Sequence, residues 1–230
     1  MIISKTPYRI SFFGGGSDYP IWYRKFGGQV LSTTIDKYLY ISCRELPKFF
    51  NHKYRIVWSK IENVKNINQI THKVVKEILI HNKIKKGLEI HYDGDLPSKS
   101  GMGSSSCFTT GLMNALNAYK EKKMTKMELA KKTIFFEQKV LNEIVGSQDQ
   151  VAAAFGGFNK ITFSRKNKIN IKKIKSNYLE TLNSNLLLIY TGIQRNAEKV
   201  AKKYVNKIKN KKKENIKKIK EYVDEGEKLI

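Results

Sequence analysis

The sequence has little of what disulfide-stabilised, zinc-bound or membrane-spanning proteins require. Its 230 residues include only two cysteines, Cys43 and Cys107, which lie far apart without Cys-x-x-Cys spacing. A disulfide framework or a structural zinc site is therefore not indicated. No apolar run approaches the roughly 18 residues of a membrane span, and the opening residues lack the order of a signal peptide. We expect a cytoplasmic protein with no membrane partner.

Acidic residues are also scarce, since 20 Asp and Glu oppose 44 Lys and Arg and leave a formal net charge of +24. This excess favours anionic partners, which include nucleic acid, acidic membrane surfaces, nucleotide triphosphates and sugar phosphates. The sequence shows no zinc-finger spacing, helix-turn-helix signature or aromatic RNP run. A basic nucleic-acid-binding module stays an alternative, but we expect no specific nucleic-acid partner.

What the chain does contain is 40% hydrophobic residues, enough for a core, in an alternating order of strands and helices. A strand over Ile2–Phe13 runs into a triple-glycine loop. The elements predicted next are a β-rich stretch at Gln29–Cys43 with a turn at Asp36-Lys37, a helix at Ile67–Ile80 and a strand at Leu88–Tyr92. A Lys- and Asn-rich stretch from Ser164 to Ser176 indicates a domain boundary.

A run of small residues from Pro97 to Ser106 separates a predicted strand from an amphipathic helix. Its glycines let the backbone approach a ligand, while the first N–H groups of the helix are unpaired donors and the helix dipole favours an anion. The run is not a Walker A loop, because no G-x-x-x-x-G-K-[ST] pattern occurs. We interpret it as a phosphate cradle; the alternative is a flexible Gly/Ser turn with a serine N-cap.

Two carboxylates stand out after this run. Glu137 lies on the apolar side of a helix that begins with the capping-box pair Thr125 and Glu128, and an unpaired carboxylate there costs several kcal/mol. A magnesium ion would compensate for it, and so would a buried salt bridge with a lysine. Asp149 lies near the start of a short helix, where a carboxylate stays ionised and can accept a proton or cap the helix.

The motif Pro-x-x-x-Gly-Met-Gly-Ser-Ser-Ser resembles the second motif of the GHMP kinases, and Thr6–Tyr19 matches their first motif in register. The triple glycine before Ser-Asp-Tyr-Pro is similar to the subgroup of D-glycero-D-manno-heptose 7-phosphate kinases and fucokinase-like enzymes. The resemblance implies that ATP is bound by Pro97, Ser100, Gly101, Met102, Gly103, Ser104, Ser105 and Ser106.

The resemblance also assigns the remaining roles. It makes Asp149 the catalytic base, with Arg9 as a second catalytic residue, and it places Mg²⁺ on Ser105 and Glu137, with Glu143 as a competing ligand. For the sugar phosphate it implies a site that includes Gly15, Gly16, Asp18, Tyr19 and Arg195, the last suited to grip a phosphate bidentately.

The reaction implied is transfer of the ATP γ-phosphoryl group to the anomeric hydroxyl of a D-glycero-D-manno-heptose 7-phosphate, which gives the 1,7-bisphosphate. Two alternatives within this family are another sugar-1-kinase, fucokinase- or galactokinase-like, and an inactive nucleotide-binding remnant.

The fold implied is α+β. Residues 1–165 would form the ATP-binding N-terminal domain, a mixed sheet backed by helices, and residues 177–230 would begin a ferredoxin-like C-terminal domain. The apolar run Leu186–Tyr190 is expected to be a buried strand of that second domain. The family's third, glycine-rich motif is missing, so we expect an incomplete C-terminal domain and a truncated sequence.

Overall fold

The computed structural model describes residues 1–193, 201, 202, 204, 205, 208 and 213–230. Its strands are β1 (Ile2–Phe13), β2 (Gly28–Glu45), β3 (Tyr54–Val57), β4 (Ile61–Val64), β5 (Leu88–Gly94), β6 (Phe158–Phe163) and β7 (Ile169–Lys173). Its helices are α1 (Pro20–Phe26), α2 (Lys73–His81), α3 (Ser104–Tyr119), α4 (Lys126–Phe135), α5 (Gln148–Phe155), α6 (Tyr178–Ser184) and α7 (Lys213–Lys228). None of these helices is long and apolar enough to cross a membrane.

The strands form one mixed sheet in the order β4-β3-β5-β2-β6-β7, with β1 paired to β2. Only β3 and β5 pair in parallel, while the other neighbours are antiparallel. The turn predicted at Asp36-Lys37 is wrong, because β2 runs through these residues as one strand. The pairing of β1 with β2 shifts register between Pro7 and Arg9, as at a β-bulge.

Helices cover both faces of the sheet, as neighbouring side chains of β2 show. Val30 packs against Ala130 of α4 and Val151 of α5. Leu31 points to the opposite face and packs against Val223 of α7. The predicted α+β fold with a mixed sheet backed by helices is therefore confirmed.

Hydrogen bonds and ion pairs attach α7 to the sheet. Lys160 of β6 donates to Asp224 and Glu227 over 2.6 Å each. The amide of Gln29 in β2 donates to Asp224 and to the backbone carbonyl of Lys220, both over 2.8 Å. Residues 213–228 thus pack on the sheet formed by β1 to β7, and a separate domain that begins at residue 177 stays a prediction.

The helix predicted over Ile67–Ile80 begins later than its apolar spacing indicates. A short 3-10 turn covers Ile67–Gln69, and α2 begins only at Lys73. Between them the carboxylate of Glu62 accepts the N–H groups of Thr71 and His72 over 2.6 and 3.2 Å. These contacts satisfy donors that a continuous helix would otherwise pair internally.

The buried strand predicted at Leu186–Tyr190 is wrong. These residues form no strand, and their side chains are exposed, Leu187 by 82%. An apolar run becomes a strand only where a neighbouring strand pairs with its backbone, and no strand of the described residues does so here.

Candidate active site

The predicted phosphate cradle is a loop that leads from β5 into the first turn of α3. Gly101 and Gly103 have φ of 82° and 77°, in the left-handed region that favours glycine. No atom lies within 4 Å of the position that a Cβ would take at Gly101, so the space beside the loop is open. Because α3 begins at Ser104, its first N–H groups have no partner within the helix and can bind an anion.

Arg9 connects three elements at this loop. Its Nε and Nη2 donate to Oδ1 and Oδ2 of Asp149 in α5, each over 2.8 Å. Its Nη1 donates to the carbonyl of Gly101 over 2.9 Å, and its backbone N–H donates to the carbonyl of Met102 over 3.2 Å. A single side chain of β1 therefore fixes the cradle and Asp149 relative to each other.

Asp149 faces the last glycine of the cradle. A Cβ at Gly103 would lie 3.4 Å from Oδ2 of Asp149, so no side chain separates the carboxylate from the loop. The N-cap of α5 is Ser147, and Asp149 lies inside the first turn with its carboxylate on Arg9. The capping alternative for Asp149 is therefore wrong. The side chain is 25% exposed, which leaves it open to a ligand.

The triple-glycine loop between β1 and α1 presents only part of the predicted sugar site. Gly15 and Tyr19 are half-buried, whereas Gly16 and Asp18 are buried. The carboxylate of Asp18 accepts the N–H groups of Gly16 and Gln148 over 2.9 and 3.2 Å. Burial, together with the charge of Asp149, raises the pKa of Asp18 to about 6.

Tyr19 lies on a cleft of about 200 Å³ between α1 and the segment before α5. Its ring centre is 6.0 Å from that of Tyr204. Arg24, Lys139 and Glu143 also line the cleft. Arg195, the predicted phosphate ligand of the substrate, lies outside the described residues.

Glu137 is fully buried in a π-helical turn, Phe136–Val140, which continues α4. Its Oε2 accepts from Oγ of Ser106 over 2.9 Å and from the amide of Gln150. Its Oε1 is buried without a hydrogen-bond partner. Burial raises the pKa of Glu137 to about 7. Among the described residues no Lys or Arg pairs with it, so they give no support to the salt-bridge alternative.

The residues around Glu137 fit a magnesium ion by their chemistry. Mg²⁺ takes carboxylate and hydroxyl oxygens, and Oε1 of Glu137 is a buried acceptor without a partner. The structure does not bring the predicted pair together, because Ser105 is exposed and Ser106 contacts Glu137 instead. Glu143 lines the cleft beside Tyr19, although its backbone N–H donates to the carbonyl of Glu137.

Several residues of the site escaped the sequence analysis. Gln150 contacts Glu137, and the amide oxygen of Gln148 accepts from Oγ of Ser11 over 2.8 Å. Ser147 accepts from the amide of Gln138 over 3.1 Å. The only sequence signal for these residues was the run of polar side chains from Ser147 to Gln150, next to Asp149.

Comparisons with known proteins find related sequences and structures. Residues 67–157 match the family model of the GHMP kinases N terminal domain. The D-glycero-alpha-D-manno-heptose 7-phosphate kinase of Campylobacter jejuni is 29% identical over 219 residues, which cover 86% of this chain and 62% of that kinase. The chain thus spans less than two thirds of this relative's length.

Solved structures show the same fold. A D-glycero-D-manno-heptose 1-phosphate kinase from Bacteroides thetaiotaomicron superposes with a TM-score of 0.68 at 25% identity, over 78% of this chain and 61% of that one. The mevalonate kinase of Methanococcus jannaschii gives a TM-score of 0.68 at 20% identity, and the superposition covers 99% of this chain and 72% of that one. Residues 67–157 are therefore similar to the GHMP kinase N-terminal domain, and the chain has the fold of the GHMP kinases.

Proposed function

We propose that the protein is an ATP-dependent sugar kinase that phosphorylates the anomeric hydroxyl of D-glycero-D-manno-heptose 7-phosphate. The observation that carries the proposal is the carboxylate of Asp149, which faces Gly103 of the cradle with no side chain between them. The names of the Campylobacter and Bacteroides relatives support a heptose phosphate as the acceptor.

The chain's own residues supply a general base and a set of N–H groups that donate hydrogen bonds to phosphate. The N–H groups of the first turn of α3 bind the phosphate oxygens of ATP, and Asp149 accepts the proton of the attacking hydroxyl. The new bond joins the sugar oxygen to the γ-phosphorus while the bond to the β–γ bridging oxygen breaks and ADP leaves. Arg9 orients Asp149 and brings positive charge to the loop where the transferred group passes.

In this proposal Glu137 and the hydroxyl of Ser105 would hold Mg²⁺, as the resemblance to the family implies. The buried, unpartnered oxygen of Glu137 supports the carboxylate half of that site. When bound, the ion would neutralise negative charge on the triphosphate. Ser106 would orient Glu137 through the hydrogen bond that it already makes.

A panel of acceptors tests the proposal. ADP formation by the purified chain is measured with ATP, Mg²⁺ and either D-glycero-D-manno-heptose 7-phosphate, galactose or fucose. We expect the highest kcat/KM with the heptose 7-phosphate. A higher kcat/KM with galactose or fucose would instead support another sugar-1-kinase. ADP formation that does not depend on any sugar would contradict the kinase proposal.

A further inference from the structure

The carboxylate of Asp18 is enclosed between the triple-glycine loop and the start of α5. It is only 1% exposed. Its Oδ1 accepts the N–H of Gly16 and its Oδ2 accepts the N–H of Gln148, while its backbone carbonyl accepts the N–H of Ser147 over 3.0 Å. Each carboxylate oxygen therefore accepts a backbone N–H inside the protein, and burial closes the side chain to a sugar hydroxyl.

Helix α5 has no side-chain cap of its own. Ser147 is its N-cap residue but makes no cap hydrogen bond, because its hydroxyl accepts from Gln138 instead. The first N–H groups of a helix need an acceptor, and a carboxylate at this end also interacts favourably with the helix dipole. Asp18 supplies that acceptor from a different element of the fold.

Gly146 shows how closely the two segments pack. A Cβ at this position would lie 1.9 Å from Oδ2 of Asp18, far inside van der Waals contact. The φ of Gly146 is outside the left-handed region, so it is space and not backbone conformation that requires glycine here. A shift of Asp18 therefore moves the start of α5 directly.

Asp149 follows Gln148 in the first turn of this helix and is held by Arg9 through both carboxylate oxygens. The position of the first turn decides where its carboxylate meets Arg9 and the cradle. We propose that Asp18 is a positioning residue, which caps α5 from the glycine loop and thereby holds Asp149 against Arg9, and that it does not contact the sugar. This role in catalysis rests on the proposed function.

The electrostatic cost of burying Asp18 supports a specific role for its contact with α5. Placing a buried carboxylate near a second carboxylate is costly, and the pKa of Asp18 is raised to about 6 by burial and by Asp149. Among the described residues, Arg9, Tyr19 and Tyr204 also interact electrostatically with Asp18. The two backbone hydrogen bonds offset the cost only while the start of α5 stays in place.

Asp18→Asn tests the proposal kinetically, because it replaces one acceptor oxygen by an amide group that cannot accept an N–H. We expect kcat to fall about tenfold or more, with KM for the heptose 7-phosphate changed less than about threefold. Mg·ATP affinity should stay within about twofold, since the cradle is a separate loop. A raised KM with an unchanged kcat would mean that Asp18 contacts the sugar, and would overturn the proposal.

Hydrogen exchange provides a readout that does not depend on activity. In Asp18→Asn the amides of residues 147–152 should exchange faster, while those of residues 97–106 keep their rates. Gly146→Ala, which presses on the same carboxylate, should give the same pattern. Asp36→Asn, an exposed aspartate of β2, is the matched control.

Unchanged exchange of the amides of residues 147–152 in both Asp18→Asn and Gly146→Ala would overturn the proposal that Asp18 caps α5. Faster exchange in a chain without sugar kinase activity would support the cap and contradict only the proposed function.

Discussion

The guanidinium of Arg9 and the carboxylate of Asp149 meet through two parallel hydrogen bonds of 2.8 Å, although they are 140 positions apart in the sequence. The third nitrogen of the same guanidinium donates to Gly101. This fork gives Asp149 one orientation relative to the cradle, which a single point charge could not define.

Arg9→Lys should therefore lower kcat by roughly a hundredfold, because a lysine cannot hold both oxygens of Asp149 and the carbonyl of Gly101 together. The folded fraction and the Mg·ATP affinity should change little. Steady-state ADP formation measures the effect, with the exposed Arg165→Lys as the matched control. A kcat within twofold of the wild type would mean that positive charge alone is sufficient.

Gly103→Val should abolish Mg·ATP binding, since a Cβ there would already lie 3.4 Å from Oδ2 of Asp149, where the carboxylate faces the cradle, and the backbone has a φ of 77°. Gly157→Val is the control for strain, because Gly157 has a φ of 80° and lies outside the cradle. Both variants should lose stability, by about 1 to 2 kcal/mol, from the left-handed backbone. Calorimetric titration distinguishes them: unchanged affinity in Gly103→Val would exclude the loop as the nucleotide site.

The two serines at the start of α3 should behave differently. Ser106→Ala removes a buried donor from Glu137 and should cost about 1 to 3 kcal/mol of stability. Ser105 is exposed, so Ser105→Ala should change stability by less than about 0.5 kcal/mol.

The proposed metal role of Ser105 requires that Ser105→Ala weaken the Mg²⁺-dependent part of ATP binding. Urea denaturation and ATP titration with and without Mg²⁺ measure the two effects. If Ser105→Ala left the Mg²⁺ dependence intact while Ser106→Ala removed it, Ser106 would be the ligand.

Glu137 should make stability fall as the pH rises. Its pKa is about 7 in the folded protein and about 4.5 as the ordinary value, so between these pH values the folded chain keeps a proton that the unfolded chain has lost. Stability from this group is complete below pH 4.5 and is lost progressively toward pH 7, by roughly 3 kcal/mol at most.

Glu137→Gln removes this dependence, so the free energy of unfolding of the variant minus that of the wild type should increase from pH 5 to pH 8. Asp18 titrates in both proteins and cancels in the difference. Denaturation curves across this range provide the measurement, and a difference that is constant with pH would contradict the raised pKa of Glu137.

The cradle was predictable because its signal is local. Glycines and serines directly before an apolar helical stripe determine both the backbone conformation and the free N–H groups. The pairing of Arg9 with Asp149 was not derivable from the residues alone, since it depends on how β1, α3 and α5 pack. Family resemblance supplied the two residues, and the structure supplied their contact.

Helix phase explains why Ser106 was missed as the partner of Glu137. One position along a helix rotates a side chain by about 100°, so the exact start of α3 decides which serine points inward. The π-helical turn at Phe136–Val140 shifts the phase of Glu137 in addition, and apolar spacing does not reveal such a turn. At Leu186–Tyr190 the apolar run indicated burial but not the pairing strand that a buried strand needs.

The central claim, that Asp149 is the base of a sugar kinase, is tested most directly by the turnover of Asp149→Asn. ADP formation with D-glycero-D-manno-heptose 7-phosphate is compared with Mg·ATP affinity in the same preparation, and Asp36→Asn serves as control. We expect kcat to fall by roughly two to four powers of ten, because the base is lost and one of its two hydrogen bonds to Arg9 with it. Mg·ATP affinity should be nearly unchanged, since Arg9 keeps its hydrogen bond to Gly101 of the cradle. A kcat close to that of the wild type, per folded molecule, would contradict the assignment of this active site.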